Sequence, residues 1–160
     1  MLEIIFCDGW RKYHTQLKKC SKSEQTFFYI WLDCCFIVKI FIIDDDKETT
    51  TMLSKFFNFK GFEVLVTNDP MAGVIKIRRE HFDVILLDIN MPVVSGFGVI
   101  ELLAGADILK EQNIFVFSGT SLPEIQLKNL LRKDGVNGFL EKPMGPDELL
   151  TAITNWVLFS

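Results

Sequence analysis

From residue 38 onward, short and fully apolar runs alternate with longer amphipathic stretches. Runs without polar alternation are typical of strands that helices cover on both faces, as in parallel sheets. The regular alternation therefore predicts βαβ units. Three runs are strong strand candidates and two are weaker ones: residues 40–43, 84–87 and 114–117, and then residues 62–66 and 138–140.

Residues that favour helix ends separate these runs and predict five helices. Gly61 suits a left-handed position at a helix C-terminus, because it follows apolar residues at helical spacing (Met52, Leu53, Phe56 and Phe57). Capping residues and first-turn prolines mark the other starts. These are Asn68 or Asp69 before Pro70, Ser95, Pro123 and Pro146.

The first 37 residues differ in composition from the rest. All four cysteines and two of the three tryptophans precede Val38, and the cysteines show no metal-binding spacing. Residues 1–37 are interpreted as an N-terminal extension of unknown status, either ordered, flexible or an artefact of the start site. Residues 38–160 are expected to form one domain that acts alone.

Charge and hydropathy exclude two classes of partner. The chain carries 17 basic and 21 acidic residues, a net charge of -4, which argues against binding nucleic acid. The apolar run at 27–38 is shorter than the roughly 20 residues that span a bilayer, and Asp33 interrupts it. No secretion signal is visible. We therefore expect no membrane contact and a cytoplasmic location.

Acidic residues follow two of the predicted strands. Asp44, Asp45 and Asp46 come directly after the first strand, and Asp88 ends the third. The carboxyl ends of parallel strands meet at one edge of the sheet, where ligands bind. Clustered carboxylates suit a hard cation such as Mg²⁺. Taken singly, the triplet also fits a solvated loop, and Asp88 also fits a capping or turn aspartate.

Four motifs together resemble the receiver domain of two-component response regulators. They are FIIDDD at 41–46, DVILLDINMPVVSG at 83–96, FVFSGT at 115–120 and GFLEKP at 138–143. The resemblance covers almost all of residues 38–160 and none of residues 1–37. It implies a doubly wound five-stranded parallel sheet flanked by five helices, the flavodoxin-like receiver fold.

The resemblance also implies a phosphoacceptor and a metal site. Asp88 matches the aspartate that accepts a phosphoryl group. Asp44 and Asp45 match the acidic pair that holds Mg²⁺, or alternatively Mn²⁺, together with Asp88 and the backbone carbonyl of Asn90. Asp45 is expected to bind the ion directly and Asp44 through water. Lys142 matches the lysine that contacts a phosphoryl oxygen. In the family, the peptide bond between this lysine and the proline that follows it is typically cis.

A switch and a control of phosphoryl lifetime are implied as well. Ser118 matches the hydroxyl that bonds the phosphoryl group, and its movement would let Phe139 turn inward. Phe139 stands where the family often has tyrosine, and it also fits an ordinary core position. Asn90 and Thr120 flank the expected path of attacking water and are expected to tune dephosphorylation.

The implied partners are a sensor histidine kinase or a histidine phosphotransfer protein as donor, and a downstream protein target. Such a domain assists its own phosphotransfer and autodephosphorylation without being a turnover enzyme. One alternative is a receiver-like binding module that works without phosphorylation. Another is a haloacid-dehalogenase-type phosphatase, whose D-x-D motif Asp44 and Asp46 supply, although Glu48 breaks its usual continuation.

Overall fold

The computed structural model describes residues 38–159, with side chains described through Thr154. The extension at 1–37 lies outside the described residues. In chain order the elements are β1 (Lys39–Ile43), α1 (Lys47–Phe59), β2 (Glu63–Thr67), α2 (Pro70–Ile77), β3 (Val84–Leu87), α3 (Gly96–Gly105), β4 (Ile114–Ser118), α4 (Glu124–Leu131), β5 (Val136–Glu141) and α5 (Pro146–Phe159). A 3-10 turn, Leu109–Glu111, precedes β4.

Within residues 38–159, five strands form one parallel sheet in the order β2-β1-β3-β4-β5. The connection from β1 to β2 runs in one direction along the sheet, and the connections from β3 to β4 and β5 run in the other. The order therefore reverses between β1 and β3, and this is the point where doubly wound sheets bind ligands. The predicted fold class is confirmed.

The burial of the strands follows their position in the sheet. Every residue of runs 40–43, 84–87 and 114–117 is buried, as their composition predicts. The edge strands are partly exposed, and Val66 on β2 is an exposed apolar residue. The predicted bounds of both edge strands lie within three residues of the observed ones. They differ because a strand with one free edge carries a weaker apolar signal in the sequence. Side chains of α2 and α3 pack on the central strands and complete the core.

Side chains and prolines start the helices where the sequence indicates, with one correction. Asp69 caps α2 by accepting the Met71 N–H at 2.8 Å, and Ser95 caps α3. Pro146 is the first residue of α5, but Pro123 lies one position before α4 and not in its first turn. Gly61 has φ 93°, the predicted left-handed conformation after α1. None of the described helices is both long and apolar enough to cross a membrane.

Gly96 lets the start of α3 approach the end of β3. A Cβ at this position would lie 2.3 Å from the backbone oxygen of Asp88, and the Gly96 N–H donates to Ile89 O at 3.0 Å. A side chain here would push α3 away from the strand end. The glycine is therefore required for the packing beneath Asp88.

We expect Gly96→Ala to lower the free energy of unfolding by about 1–3 kcal/mol, because the added methyl group overpacks a backbone contact. Urea denaturation measures this change. Gly105→Ala at the other end of the same helix is the matched control, since a Cβ there meets nothing within 4 Å. It should be neutral or raise stability by up to about 1 kcal/mol. Equal losses in both variants would contradict the steric explanation.

Candidate functional site

Three carboxylates come together at the carboxyl edge of the sheet. Asp44 and Asp45 follow β1, and Asp88 follows the neighbouring strand β3. One oxygen from each lies within 4.8 Å of the others. Asp44 and Asp88 are 3% and 5% exposed, whereas Asp45 is open to solvent. The fold therefore brings together the three predicted carboxylate ligands from positions 44 residues apart.

Lys142, which follows β5, reaches into this cluster. Its Nζ donates to Asp44 Oδ2 at 2.6 Å and to Asp88 Oδ1 at 3.2 Å, and it lies 5.0 Å from the centroid of the Phe117 ring. The Lys142 backbone N–H donates to Ser118 O at 2.8 Å. The Lys142–Pro143 peptide bond is cis, as the resemblance implies. The lysine is thus held by strand pairing on one side and by two carboxylates on the other.

The charges in this cluster do not balance. Burial raises the pKa of Asp44 above its ordinary value, and the hydrogen bond from Lys142 opposes this rise without cancelling it. Burial acts to lower the pKa of Lys142, but the hydrogen bonds and attraction from Asp44 and Asp88 outweigh it and raise the pKa. Three carboxylates face one ammonium group. The donor set therefore fits a hard divalent cation.

Backbone amides orient the two buried carboxylates, and one asparagine holds the backbone at Asp44. Asp44 Oδ1 accepts the Asp46 N–H at 2.9 Å, and Asp88 Oδ2 accepts the Asn90 N–H at 2.7 Å. Asn68 donates to Asp44 O at 2.6 Å and to Thr50 Oγ1 at 3.2 Å. This role was not predicted from the sequence, in which Asn68 was expected only as a helix cap. An amide side chain just after the edge strand β2 was the available signal.

Asn90, Thr120 and Ser118 form a hydrogen-bonded group beside Asp88. The Asn90 side chain donates to Thr120 Oγ1 at 2.6 Å and, at a longer 3.4 Å, to Ser118 Oγ. The Thr120 N–H also contacts Ser118 Oγ at 3.3 Å. Ser118 is fully buried, while Asn90 and Thr120 are exposed. The structure thus joins the loop after β3 to the loop after β4 over the acidic cluster.

Phe139 lies on β5 with its side chain half-buried against the core. It pairs with Val116 of β4 in the strand register. The loop after β4 also contacts the end of β5, because Ser121 Oγ donates to Glu141 Oε1. The predicted switch residues Ser118 and Phe139 therefore belong to neighbouring strands.

Asp46 lies outside the carboxylate cluster. Its side chain caps α1, accepting the Glu48 N–H at 2.9 Å and the Thr49 hydroxyl at 2.5 Å. A phosphatase site built on D-x-D needs both aspartates in the reaction centre. Asp46 is engaged by the helix terminus, so the geometry does not support that alternative.

Comparison with known proteins identifies the family. The model of the response regulator receiver domain matches residues 40–154. The chain therefore belongs to the response regulator receiver family of two-component systems. Receiver domains are signalling domains and not turnover enzymes.

Individual relatives agree with this assignment. The chain is 31% identical over 116 residues to the cell cycle transcriptional regulator CtrA of Caulobacter vibrioides, covering 72% of this chain and 48% of that protein. It is 28% identical over 120 residues to the CAI-1 autoinducer sensor kinase/phosphatase CqsS of Vibrio cholerae, covering 74% and 17%. The chain thus spans less than half the length of these curated relatives.

The fold is similar to that of solved receivers. The Vibrio cholerae chemotaxis protein CheY4 superposes with a TM-score of 0.66 at 28% identity. The match covers 75% of this chain and 98% of CheY4. This similarity supports the fold over nearly the whole length of a known receiver.

The pKa of Asp44, which burial raises, has a consequence for pH dependence that Asp44→Asn tests in a chelating buffer. Because the folded state raises the pKa of Asp44, the wild-type protein loses stability from this group as pH rises from 3.8 to the raised value. The asparagine variant lacks this loss. The stability of the variant relative to wild type should therefore increase with pH across that window, measured by urea denaturation.

Asp46→Asn is the matched control with the opposite sign. Hydrogen bonds from Thr49 and Glu48 lower the pKa of Asp46, so the wild-type protein gains stability from this group as pH rises from the lowered value to 3.8. The stability of Asp46→Asn relative to wild type should therefore fall as pH rises from the lowered pKa of Asp46 to 3.8. The same slope in both variants would show that the cluster does not disfavour the Asp44 charge.

Proposed function

We propose that the chain accepts a phosphoryl group on Asp88 from a phosphohistidine donor. The contact that carries the proposal is the shared Lys142 ammonium, 2.6 Å from Asp44 Oδ2 and 3.2 Å from Asp88 Oδ1. At one edge of the sheet, this contact joins Lys142 to Asp44, which lies 98 positions away in the chain, and to Asp88, which lies 54 positions away. Phosphoryl transfer depends mainly on positioning and on neutralising charge. A fixed cation beside a buried carboxylate provides both.

In the proposed transfer, a carboxylate oxygen of Asp88 forms a bond to phosphorus while the phosphorus–nitrogen bond of the donor breaks. The bonding electron pair leaves with the imidazole nitrogen of the donor, which is then protonated by solvent. The product on this chain is an acyl phosphate. Contacts with the Asn90 N–H and Lys142 hold the Asp88 carboxylate in a fixed orientation for this step.

Asp44, Asp45 and Asp88 are the proposed protein ligands for Mg²⁺, with Mn²⁺ as an alternative, and the Asn90 backbone carbonyl is a further ligand. When bound, the ion supplies positive charge that offsets the charge of the transferred oxygens. Lys142 supplies further positive charge from the protein. The unbalanced carboxylates support this part of the proposal.

Ser118 and Phe139 are the proposed switch. Among the described residues, the Ser118 hydroxyl has long contacts, at 3.3 and 3.4 Å, and such weak hydrogen bonds can be exchanged for a phosphoryl oxygen. Its movement then leaves space beside β4 for the half-buried ring of Phe139. The new contacts shift the population between the two packings. The output is a contact with a downstream protein target.

Asn90 and Thr120 are the proposed control of phosphoryl lifetime. Their 2.6 Å hydrogen bond lies between the two loops beside Asp88. A water molecule that hydrolyses the acyl phosphate has to approach past these loops. The two side chains therefore regulate autodephosphorylation by limiting access.

The proposed donor is a sensor histidine kinase or a histidine phosphotransfer protein. The proposed receiver unit is residues 38–160, acting in the cytoplasm without contact to nucleic acid or membrane. Action as a stand-alone protein stays a prediction. A binding module that works without phosphorylation is the alternative, and the experiment below separates the two.

We expect the purified chain to gain one phosphoryl group when it is incubated with acetyl phosphate and Mg²⁺. Intact-mass measurement detects the addition. The gain should disappear with a chelator, because the ion is needed to offset the charge of the phosphoryl oxygens. It should also disappear in Asp88→Ala. A folded protein that gains no mass from acetyl phosphate or from a histidine kinase would favour the phosphorylation-independent module.

Two lysine variants refine the same measurement. Lys142→Ala should slow the gain by about a hundredfold, the usual effect of removing one donor that stabilises transferred oxygens. Lys110→Ala is the matched control, because Lys110 is an exposed lysine paired with Asp107 at 3.0 Å. An equal rate in the two variants would remove Lys142 from the proposed mechanism.

A further inference from the structure

Asn68, the residue that follows β2, joins the loop after β2 to the loop after β1. Its side-chain Nδ2 donates to Asp44 O at 2.6 Å and to Thr50 Oγ1 at 3.2 Å. A backbone carbonyl oxygen only accepts hydrogen bonds, so the amide nitrogen of Asn68 has to face this loop. Both amide hydrogens are therefore directed at the segment that carries the first two carboxylates of the cluster.

The backbone on both sides of Asn68 is fixed. Before it, Thr67 O accepts the Asp44 N–H at 3.2 Å, which continues the pairing of β1 with β2 by one residue. After it, the Asp69 N–H donates to Thr67 Oγ1 at 3.2 Å, and Asp69 Oδ1 caps α2 by accepting the Met71 N–H. Asn68 is therefore a rigid point that can hold the more open loop after β1.

Both peptide groups that flank Asp45 are also held. The oxygen of the peptide group between Asp44 and Asp45 accepts the bond from Asn68. The N–H of the peptide group between Asp45 and Asp46 donates to Asp44 Oδ1 at 2.9 Å. Because peptide groups are planar, holding both of them fixes φ and ψ of the residue between them. The direction in which the exposed Asp45 side chain leaves the backbone therefore depends on Asn68.

We propose that Asn68 is a positioning residue for the divalent cation, because it holds the loop after β1 so that Asp44 and Asp45 present their carboxylates together. The inference rests on the proposed function and adds to it a residue that supports the ligands from behind. When ligands are already oriented, none of the binding free energy is spent on ordering the loop.

Asn68→Ala in the full chain tests the inference with Mn²⁺, whose free ion is counted by electron paramagnetic resonance. We expect the Kd for Mn²⁺ to rise about tenfold, the lower end of the usual effect of losing a hydrogen-bonding group behind metal ligands. The Mg²⁺ concentration that half-saturates phosphorylation by acetyl phosphate should rise by the same factor. The rate at saturating Mg²⁺ should stay close to that of wild type, because the bound ion then orders the loop.

Asn58→Ala is the matched control. Asn58 is an exposed asparagine on α1 whose Nδ2 donates to Ser54 O at 2.7 Å. It lies about three helical turns from the loop after β1. The variant removes the same kind of bond, from an amide side chain to a backbone oxygen, and should leave both metal constants unchanged.

Two variants of Thr50 separate positioning from folding stability. Thr50 is 2% exposed, and its hydroxyl accepts the second amide hydrogen of Asn68. Thr50→Val keeps the shape but removes the hydroxyl, so the Kd for Mn²⁺ should rise about threefold, as for one hydrogen bond lost. Thr50→Ser keeps the hydroxyl and loses a buried methyl group. It should lower the midpoint of thermal unfolding by a few degrees and leave the Kd close to that of wild type.

A wild-type Kd in folded Asn68→Ala would overturn the inference, as would equal rises in Asn68→Ala and Asn58→Ala. A raised Kd in Thr50→Ser beside an unchanged Kd in Thr50→Val would overturn it too, and this pair decides the question if Asn68→Ala does not fold. All of these results leave the chemistry at Asp88 intact, provided that the wild-type chain gains mass from acetyl phosphate. A wild-type chain that neither binds Mn²⁺ nor gains mass would overturn the proposed function itself, and the inference with it.

Discussion

The Lys142 ammonium group is shared by two buried carboxylates, Asp44 and Asp88, at the carboxyl edge of the sheet. Burying like charges side by side is unfavourable unless cations or protons compensate them. Burial raises the pKa of Asp44, and the hydrogen bond from Lys142 does not cancel this rise. The exposed Asp45 adds a third negative charge. The site therefore favours the binding of further positive charge. A bound cation of this kind is what the proposed phosphoryl transfer requires.

The sheet order creates this arrangement. Because β1 and β3 are neighbours and all strands are parallel, Asp44 and Asp88 leave the sheet side by side. Gly96 allows α3 to begin directly beneath Asp88, and Asn68 holds the backbone at Asp44. The apolar central strands give these loops a rigid base. The apolar core thus holds in place polar groups whose burial is unfavourable by itself.

Much of this arrangement could be predicted from the sequence, because its signals are local. The central strands are continuous apolar runs, and Ser95 and Asp69 cap helices within three residues of themselves. The joint position of Asp44 and Asp88 followed from one topological rule for parallel sheets. Residue roles at the site came from the resemblance in four motifs, and the geometry brings Asp44, Asp45, Asp88 and Lys142 together.

The features that could not be predicted from the sequence depend on distant contacts. The bond from Asn68 to Asp44 spans 24 residues, and the steric requirement at Gly96 depends on the path of a strand end. The observed bounds of β2 and β5 differ from the predicted ones because these strands lie at free edges of the sheet. Pro123 lies one residue before α4, and not in its first turn as predicted. Val93, in the loop between β3 and α3, has a φ of 68°, and this left-handed conformation was not predicted because valine gives no signal for positive φ.

The most direct test of the central claim is to locate the phosphoryl group. Borohydride reduces an aspartyl phosphate to homoserine, which marks the acceptor permanently, and peptide mass spectrometry then finds the marked position. After treatment with acetyl phosphate and Mg²⁺, the account predicts homoserine at position 88 and unmodified aspartate at 44, 45 and 46. Homoserine at one of the other three positions, or its absence from a phosphorylated chain, would contradict it.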